Sequence, residues 1–469
     1  MFKSIFTNSF GILFSRITGF IRDLFAASYL GANIYSDFFF IAFKLPNLFR
    51  RIFAEGALTQ TFLPSFTRSK HKAVFAVSIF SLFLSIIITL SLLITFFPYT
   101  ATKLIAIGFD EQTIQAAAPF VAINFWYLPL IFIVTFIASL LQYKHHFATT
   151  AFATSLLNIS LITALLLSKD KEKIEIVYYL SYGVVIGGVL QLIAHLIALK
   201  KMNLCPLVIG GFKYFRKKST LIHSDTKKFK REFFPAIWGN STAQFSAFLD
   251  TWLASFLISG SISYLYYSNR IFQLPLALFA IATSIAIFPK ISRYLKNSDK
   301  QKAHIYMYKG FWFLTYLLTF STLGGYLLSD EIVWLLFERG SFTHHDTIES
   351  AKVLQMYIIG LLPFGLNKIF SMWLYAAQRQ RTAAKIATYS LSTNIIFSLL
   401  FISPFGAAGL ALASTLSGFV SLYLTIKAFG FYHLKNYLKT KHTFILLIST
   451  IVFVIILFIF KSFIAQYIH

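Results

Sequence analysis

The sequence is short of several things, and each shortage closes off a class of function. A single cysteine, Cys205, rules out an internal disulfide and a thiolate metal cluster. Charged residues make up only 13%, where a soluble domain carries about 25%. Acidic residues are scarcest of all, 17 against 42 Lys and Arg, for a net charge of +25. No glycine-rich stretch ends in Gly-Lys-Ser/Thr, so nucleotide hydrolysis by that route is excluded. The adjacent pairs His145–His146 and His344–His345 lack the further ligands a zinc site needs. The first apolar run continues into Arg22 and Asp23 without a small-residue cleavage site, so no cleavable signal is expected.

What fills the chain instead is apolar: hydrophobic residues reach 57%. A membrane span needs about 20 mostly apolar residues. The sequence predicts an all-α polytopic membrane protein with thirteen spans, near 4–30, 35–66, 74–97, 116–141, 148–168, 175–199, 233–258, 262–288, 308–328, 350–376, 382–402, 406–429 and 441–465. Lys and Arg collect in alternate loops, among them 67–72, 200–231 and 290–302, while 31–37, 259–263 and 403–409 hold none. That alternation is the positive-inside pattern rather than a face for nucleic acid. It places the N-terminus in the cytoplasm and the C-terminus outside.

A basic stretch divides the spans into two similar sets. Asp23-Leu-Phe-Ala-Ala-Ser-Tyr-Leu30, Lys44-Leu-Pro46 and Phe62-Leu-Pro64 are answered by Asp250-Thr-Trp-Leu-Ala-Ser-Phe-Leu257, Gln273-Leu-Pro275 and Phe288-Pro289. The expected organisation is an N-terminal lobe (1–200), a basic cytoplasmic linker (201–232), a C-terminal lobe (233–430) and an extra C-terminal span (431–469). Six spans per lobe keep both halves in one orientation, as in transporters that rock about a central cavity. Pro46 and Pro275 lie inside spans, where a missing N–H and a ring clash kink the helix.

The spans also carry charges that cost at least about 2.5 to 3.5 kcal/mol each near the bilayer centre. Arg16, Arg22, Lys44, Arg50, Arg51 and Arg270 stand against Asp23, Asp37, Glu55 and Asp250, six cations to four carboxylates. The surplus points to a cavity for an anion. Guanidinium groups stay charged when desolvated and grip phosphate oxygens in pairs, which suits a lipid-linked diphosphate. Asp23, adjacent to Arg22 and diverging from it around the helix, is expected to orient an arginine of another helix such as Arg270. Arg50, Arg51 and Glu55 either serve the cavity or snorkel to the headgroups. Asp37 either stabilises a helix start or forms a gating pair with Arg22. Asp250 is open to three readings: a structural acceptor, a protonation site, or part of a cation site with Asn394.

Ser15-Arg-Ile-Thr-Gly-Phe-Ile-Arg-Asp23 and Phe43-Lys-Leu-Pro-Asn-Leu-Phe-Arg-Arg-Ile-Phe-Ala-Glu-Gly-Ala57 closely resemble the MurJ (MviN) family of lipid II flippases. That family belongs to the multidrug/oligosaccharidyl-lipid/polysaccharide exporter superfamily. Tyr266-Tyr-Ser-Asn-Arg270, Leu336-Phe-Glu-Arg-Gly-Ser-Phe-Thr343 and Gly406-Ala-Ala-Gly-Leu-Ala-Leu-Ala-Ser414 extend the likeness. The resemblance implies two lobes around a cationic cavity in a bacterial cytoplasmic-membrane transporter, not an enzyme. Its substrate would be lipid II, flipped by alternating access and driven by membrane potential or a cation. Substrate positions would be Ser15, Arg16, Arg22, Asp23, Asn47 and Arg270, joined by Lys44 for its depth in the span, and gating positions Asp37, Arg50, Arg51 and Glu55. No cofactor is implied; sodium is a candidate coupling ion, with Asp250 and Asn394 as candidate ligands. Cell-wall synthesis proteins are candidate partners. The family commonly has fourteen spans, and only one follows the twelfth here. A flippase for another polyprenyl-linked sugar, a cation-coupled drug exporter and a non-transporting scaffold are the competing readings; a drug exporter would be led by carboxylates.

Overall fold

The computed structural model describes residues 2–51 and 58–468, and among these every regular element is helical. The chain packs into two units: unit 1 holds residues 1–260 with 339–342, and unit 2 holds 261–338 with 343–469.

Unit 1 begins with α1 (Phe2–Leu30) and α2 (Ile34–Phe49), then α3 (Thr59–Arg68) and α4 (Lys72–Phe96). It continues through α5 (Pro98–Ile105), α6 (Glu111–Phe125), α7 (Tyr127–Tyr143), α8 (Ala148–Leu167) and α9 (Lys173–Lys201). The expected basic linker is itself helical, as α10 (Cys205–Lys218) and the first turns of α11 (His223–Ala254). An aromatic core joins α3, α4, α7 and α11: Phe62 lies 5.1 Å from Phe136, and Phe83 4.8 Å from Phe233, ring to ring. Buried aromatic pairs of this kind contribute about 0.5 to 1.5 kcal/mol each beyond their area.

Close packing of α1 on α8 sets where the charged side chains of α1 stand. A Cβ on Gly11 would stand 2.8 Å from the Ala151 methyl, and one on Gly19 would stand 3.2 Å from Asn158 Nδ2. Phe10 and Phe14 rest on Phe152 at 6.1 and 6.2 Å. Residue numbers rise together along this seam, so the two helices run parallel. Glycine on the α1 side lets the backbones approach closely, the usual device where no water drives helices together.

Unit 2 holds α12 (Ser261–Pro275), α13 (Ala282–Lys296), α14 (Lys300–Leu327) and α15 (Ser329–Phe337). It goes on through α16 (His344–Ile359), α17 (Leu361–Ala376), α18 (Gln380–Phe429), α19 (Phe431–Leu438) and α20 (Lys441–Ile468). Pro275 ends α12, and the next turn, Leu276–Ile281, widens into a π-helix before α13. A similar wide turn follows Pro46, at Arg50 and Arg51. Each proline removes a ladder donor, and in both helices a wide turn follows within a few residues. Helix α20 is tied to α14 at both ends. Tyr316 donates to the His442 carbonyl (2.9 Å); Lys461 donates to the Leu327 carbonyl (2.8 Å) and pairs with Glu331 of α15 (3.4 Å).

Among the described residues, 8 helices are long and apolar enough to cross a membrane, or up to 9 if the bent pair α14–α15 is one span. Thirteen were expected from the sequence, and the shortfall has physical causes. The expected spans 4–30 and 233–258 are helical as α1 and α11, but charge and polar residues lower their hydropathy. The expected span 35–66 appears as α2 and α3, with 52–57 outside the described residues. The expected spans 382–402 and 406–429 fall within α18, whose 50 residues are interrupted at Gly406 (φ 55, ψ −132). That break folds the helix into a hairpin. A Cβ on Gly409 would overlap the Phe401 carbonyl, Ser414 reaches Asn394, Ser390 reaches the Ser417 carbonyl and Arg379 reaches the Ala428 carbonyl.

Candidate functional site

The charged positions of α1 and α2 all lie in unit 1. Arg16 is exposed and Ser15 half-buried. One and a half turns further along, Arg22 and Asp23 are buried, at 8% and 3% exposure. The sequence reading has Asp23 turned away from Arg22 toward another helix. The structure pairs the two rather than separating them: Arg22 Nε and Nη2 both donate to Asp23 Oδ1, at 3.0 and 2.6 Å. Their Cα–Cβ bonds diverge by about 100°, but the arginine stem is long enough to fold back across that angle. The carboxylate thus holds one edge of the guanidinium fork.

The outer edge meets a residue that the sequence reading missed. Arg22 Nη1 donates to Asn158 Oδ1 on α8 at 3.1 Å. A lone asparagine in an apolar helix carries no charge signal and belongs to no motif. Its burial, at 4%, is what reveals it.

On α2, Asn33 caps the helix by accepting from Tyr35 N–H (2.9 Å), while the Ser36 hydroxyl accepts from Asn33 N–H (2.8 Å). Asp37 sits just inside this start, 1% exposed, and its Oδ2 accepts the Gly260 N–H at 2.7 Å. Its carboxylate therefore engages a backbone donor 223 residues along the chain. Lys44 and Asn47 are partly buried; Arg50 Nε donates to Asn47 Oδ1 (3.2 Å) across the wide turn after Pro46. Arg51 is exposed, and Glu55 lies outside the described residues.

The second half supplies Arg270, in unit 2. Its Nη2 donates to the Tyr266 hydroxyl (2.7 Å), and its guanidinium lies 4.8 Å from the centre of the same ring. Gln273 donates to Asn269 beside it. Tyr266 thus steadies Arg270 without adding a negative charge, through hydrogen bond and ring face together. Lys368, exposed on α17, is a further cation within an expected span that sequence reading did not select.

Of the candidate sodium ligands, Asp250 is half-buried on α11 in unit 1. Asn394 is buried in unit 2, where its Oδ1 accepts from Ser398 and Ser414, each at 3.4 Å. Among the described residues, no group of three or more His, Cys, Asp or Glu is arranged to hold a metal ion. His344 lies 3.1 Å from Glu338, and His146 2.8 Å from Thr149, so each histidine pair has at least one member in an ordinary local contact.

Comparison with known proteins places this geometry in a family. The profile of the family "Lipid II flippase MurJ" matches residues 26–469. A "Probable lipid II flippase MurJ" of Helicobacter pylori strain J99 is 49% identical over 449 residues, 94% of this chain and 98% of that protein. The "Lipid II flippase MurJ" of Burkholderia cenocepacia is 31% identical over 443 residues, 92% of this chain and 85% of that protein. In fold, the chain is similar to a solved lipid II flippase MurJ in an inward closed conformation, with TM-score 0.80 at 24% identity, covering 98% of this chain and 99% of that one. An inward-facing transporter of the multidrug resistance MATE family follows at TM-score 0.66 and 13% identity. Matched over nearly its whole length by profile and at almost half identity to a curated relative, the chain belongs to the lipid II flippase MurJ family.

Proposed function

We propose that this chain carries lipid II from the cytoplasmic to the outer leaflet of the bacterial cytoplasmic membrane by alternating access. One observation supports the anionic substrate most directly. On α1 and α2 the carboxylates are Asp23 and Asp37, engaged by Arg22 and by a backbone N–H, while the formal charges of Arg16, Lys44, Arg50 and Arg51 lie on the same two helices or at their edge. A region so arranged attracts a diphosphate and repels a cationic drug.

In this reading the two lobes are residues 1–200 and 233–430, the N-terminus is cytoplasmic and the C-terminus is outside. Arg16, Arg22 and Arg270, with Ser15, Asp23, Lys44 and Asn47, receive the diphosphate while the polyprenyl tail stays in lipid. Asp37, Arg50, Arg51 and Glu55 control closure. Binding shifts the lobes only as far as the anion prefers one state over the other, so a separate force must reset the cycle. Membrane potential or a sodium ion, held by Asp250 and Asn394, supplies it. Proteins of cell-wall synthesis that make or consume lipid II are the natural partners.

The decisive experiment is depletion of the protein in cells with no other flippase, with leaflet-specific detection of lipid II. The precursor should accumulate in the inner leaflet. Its undiminished arrival at the outer leaflet would reject the reading.

A further inference from the structure

We infer that Asn158 is a positioning residue for substrate transfer: it fixes the Arg22 guanidinium from the side opposite Asp23 without cancelling its charge. The inference rests on Arg22 being a substrate-binding group, as proposed above.

The case begins with hydrogen-bond accounting. A primary amide offers two N–H donors and one carbonyl acceptor, and its buried atoms must be matched. Asn158 Nδ2 donates to the Ser15 carbonyl at 2.9 Å and to Thr18 Oγ1 at 3.2 Å. Thr18 Oγ1 directs its own hydrogen to the Phe14 and Ser15 carbonyls, both at 3.1 Å, so toward Asn158 it can only accept. Both amide hydrogens are therefore committed to α1, and Oδ1 has one direction left, onto Arg22 Nη1. A flipped amide would set donor against donor at the guanidinium and acceptor against acceptor at Ser15. Gly19 completes the seat, because a Cβ there would come within 3.2 Å of Nδ2.

Asp23 grips Nε and Nη2, and Asn158 grips Nη1, so the plane of the fork is defined from two sides. Chemistry explains an amide at this place. An aspartate could also accept from Arg22, but two carboxylates against one guanidinium would leave the cluster negative and hostile to phosphate. An asparagine holds the fork and leaves the Arg22–Asp23 pair neutral rather than negative. Preorganising a group that must meet a diphosphate lowers the ordering cost of binding.

The test is a double-mutant cycle on the purified full chain, read as affinity for detergent-solubilised lipid II, with thermal unfolding measured in parallel. Asn158→Leu should weaken binding about tenfold, the range for a lost hydrogen bond to a charged group. In an Arg22→Lys background, which keeps the charge but not the fork, the same change should cost no more than about twofold. A residue that only pins α1 to α8 would lose the same factor in both backgrounds, and that result would overturn the inference. So would wild-type binding by Asn158→Leu. If that variant unfolds, Asn158→Ser replaces it in the same cycle. Asn158→Asp should bind at least as poorly as Asn158→Leu; tighter binding than wild type would also overturn the charge argument. Undecaprenyl diphosphate is the second probe. Loss of coupling to both ligands sinks Asn158 alone, whereas intact coupling to undecaprenyl diphosphate with no binding of lipid II sinks the lipid II reading alone.

Discussion

Arg22 concentrates the chemistry of a single side chain. Its fork is held by a carboxylate and an amide, both of which recognise the planar arrangement of its N–H groups. Arg22→Lys keeps the charge but places it at one point, so it should rescue lipid II export poorly. A rate at least about tenfold below wild type is expected, close to Arg22→Ala rather than midway between Ala and Arg. Export near the wild-type rate would reduce Arg22 to a point charge. Arg22 stands out as a candidate in the sequence, because an arginine in an apolar helix has few structural excuses. Its partners do not. Asp23 follows it immediately, and helical angle alone points it elsewhere, because that angle ignores the reach of the arginine stem. Asn158 is 136 residues away and Gly260 lies 223 residues from Asp37, distances no local pattern spans.

Among the elements, the α18 hairpin shows how one backbone position sets an architecture. Fifty residues of straight helix would extend about 75 Å, far beyond a hydrocarbon core of about 30 Å, so a reversal is required. Gly406 provides it with φ 55, ψ −132, and nothing stands within 4 Å of a Cβ built there. Gly406→Ala should therefore cost backbone strain alone, about 1 to 3 kcal/mol, seen as a lower unfolding temperature. The neighbouring Gly409 faces the Phe401 carbonyl, so Gly409→Ala should cost more through direct overlap. The two spans are legible as apolar runs on either side of Ser403 and Pro404. The element boundaries of α1, α2 and α11 are harder to match, because the charges that mark the site also dilute the hydrophobic signal of the helices bearing it.

For the whole molecule, the expected odd number of spans places the termini on opposite sides of the membrane. The lone cysteine makes this directly measurable. Cys205, half-buried at the start of α10, should react with a membrane-impermeant maleimide only when the cytoplasmic face is accessible. Single cysteines placed at Ser403 and near the C-terminus of a Cys205→Ser protein should react only from outside. Labelling of the C-terminal site from the cytoplasm would demand an even count. The last helix has a further property that concerns motion rather than topology. From His442 to Lys461, α20 runs about 28 Å, with a polar fastening to α14 or α15 at either end. Between them lies an apolar slot lined by Phe320, Ile445, Ile448, Val452, Phe453 and Ile456, beside Ser449. A rod fastened at two points about 28 Å apart resists sliding along its neighbour and rolling about its own axis. Bowing is the freedom left to it, and bowing changes the width of the slot while preserving its register.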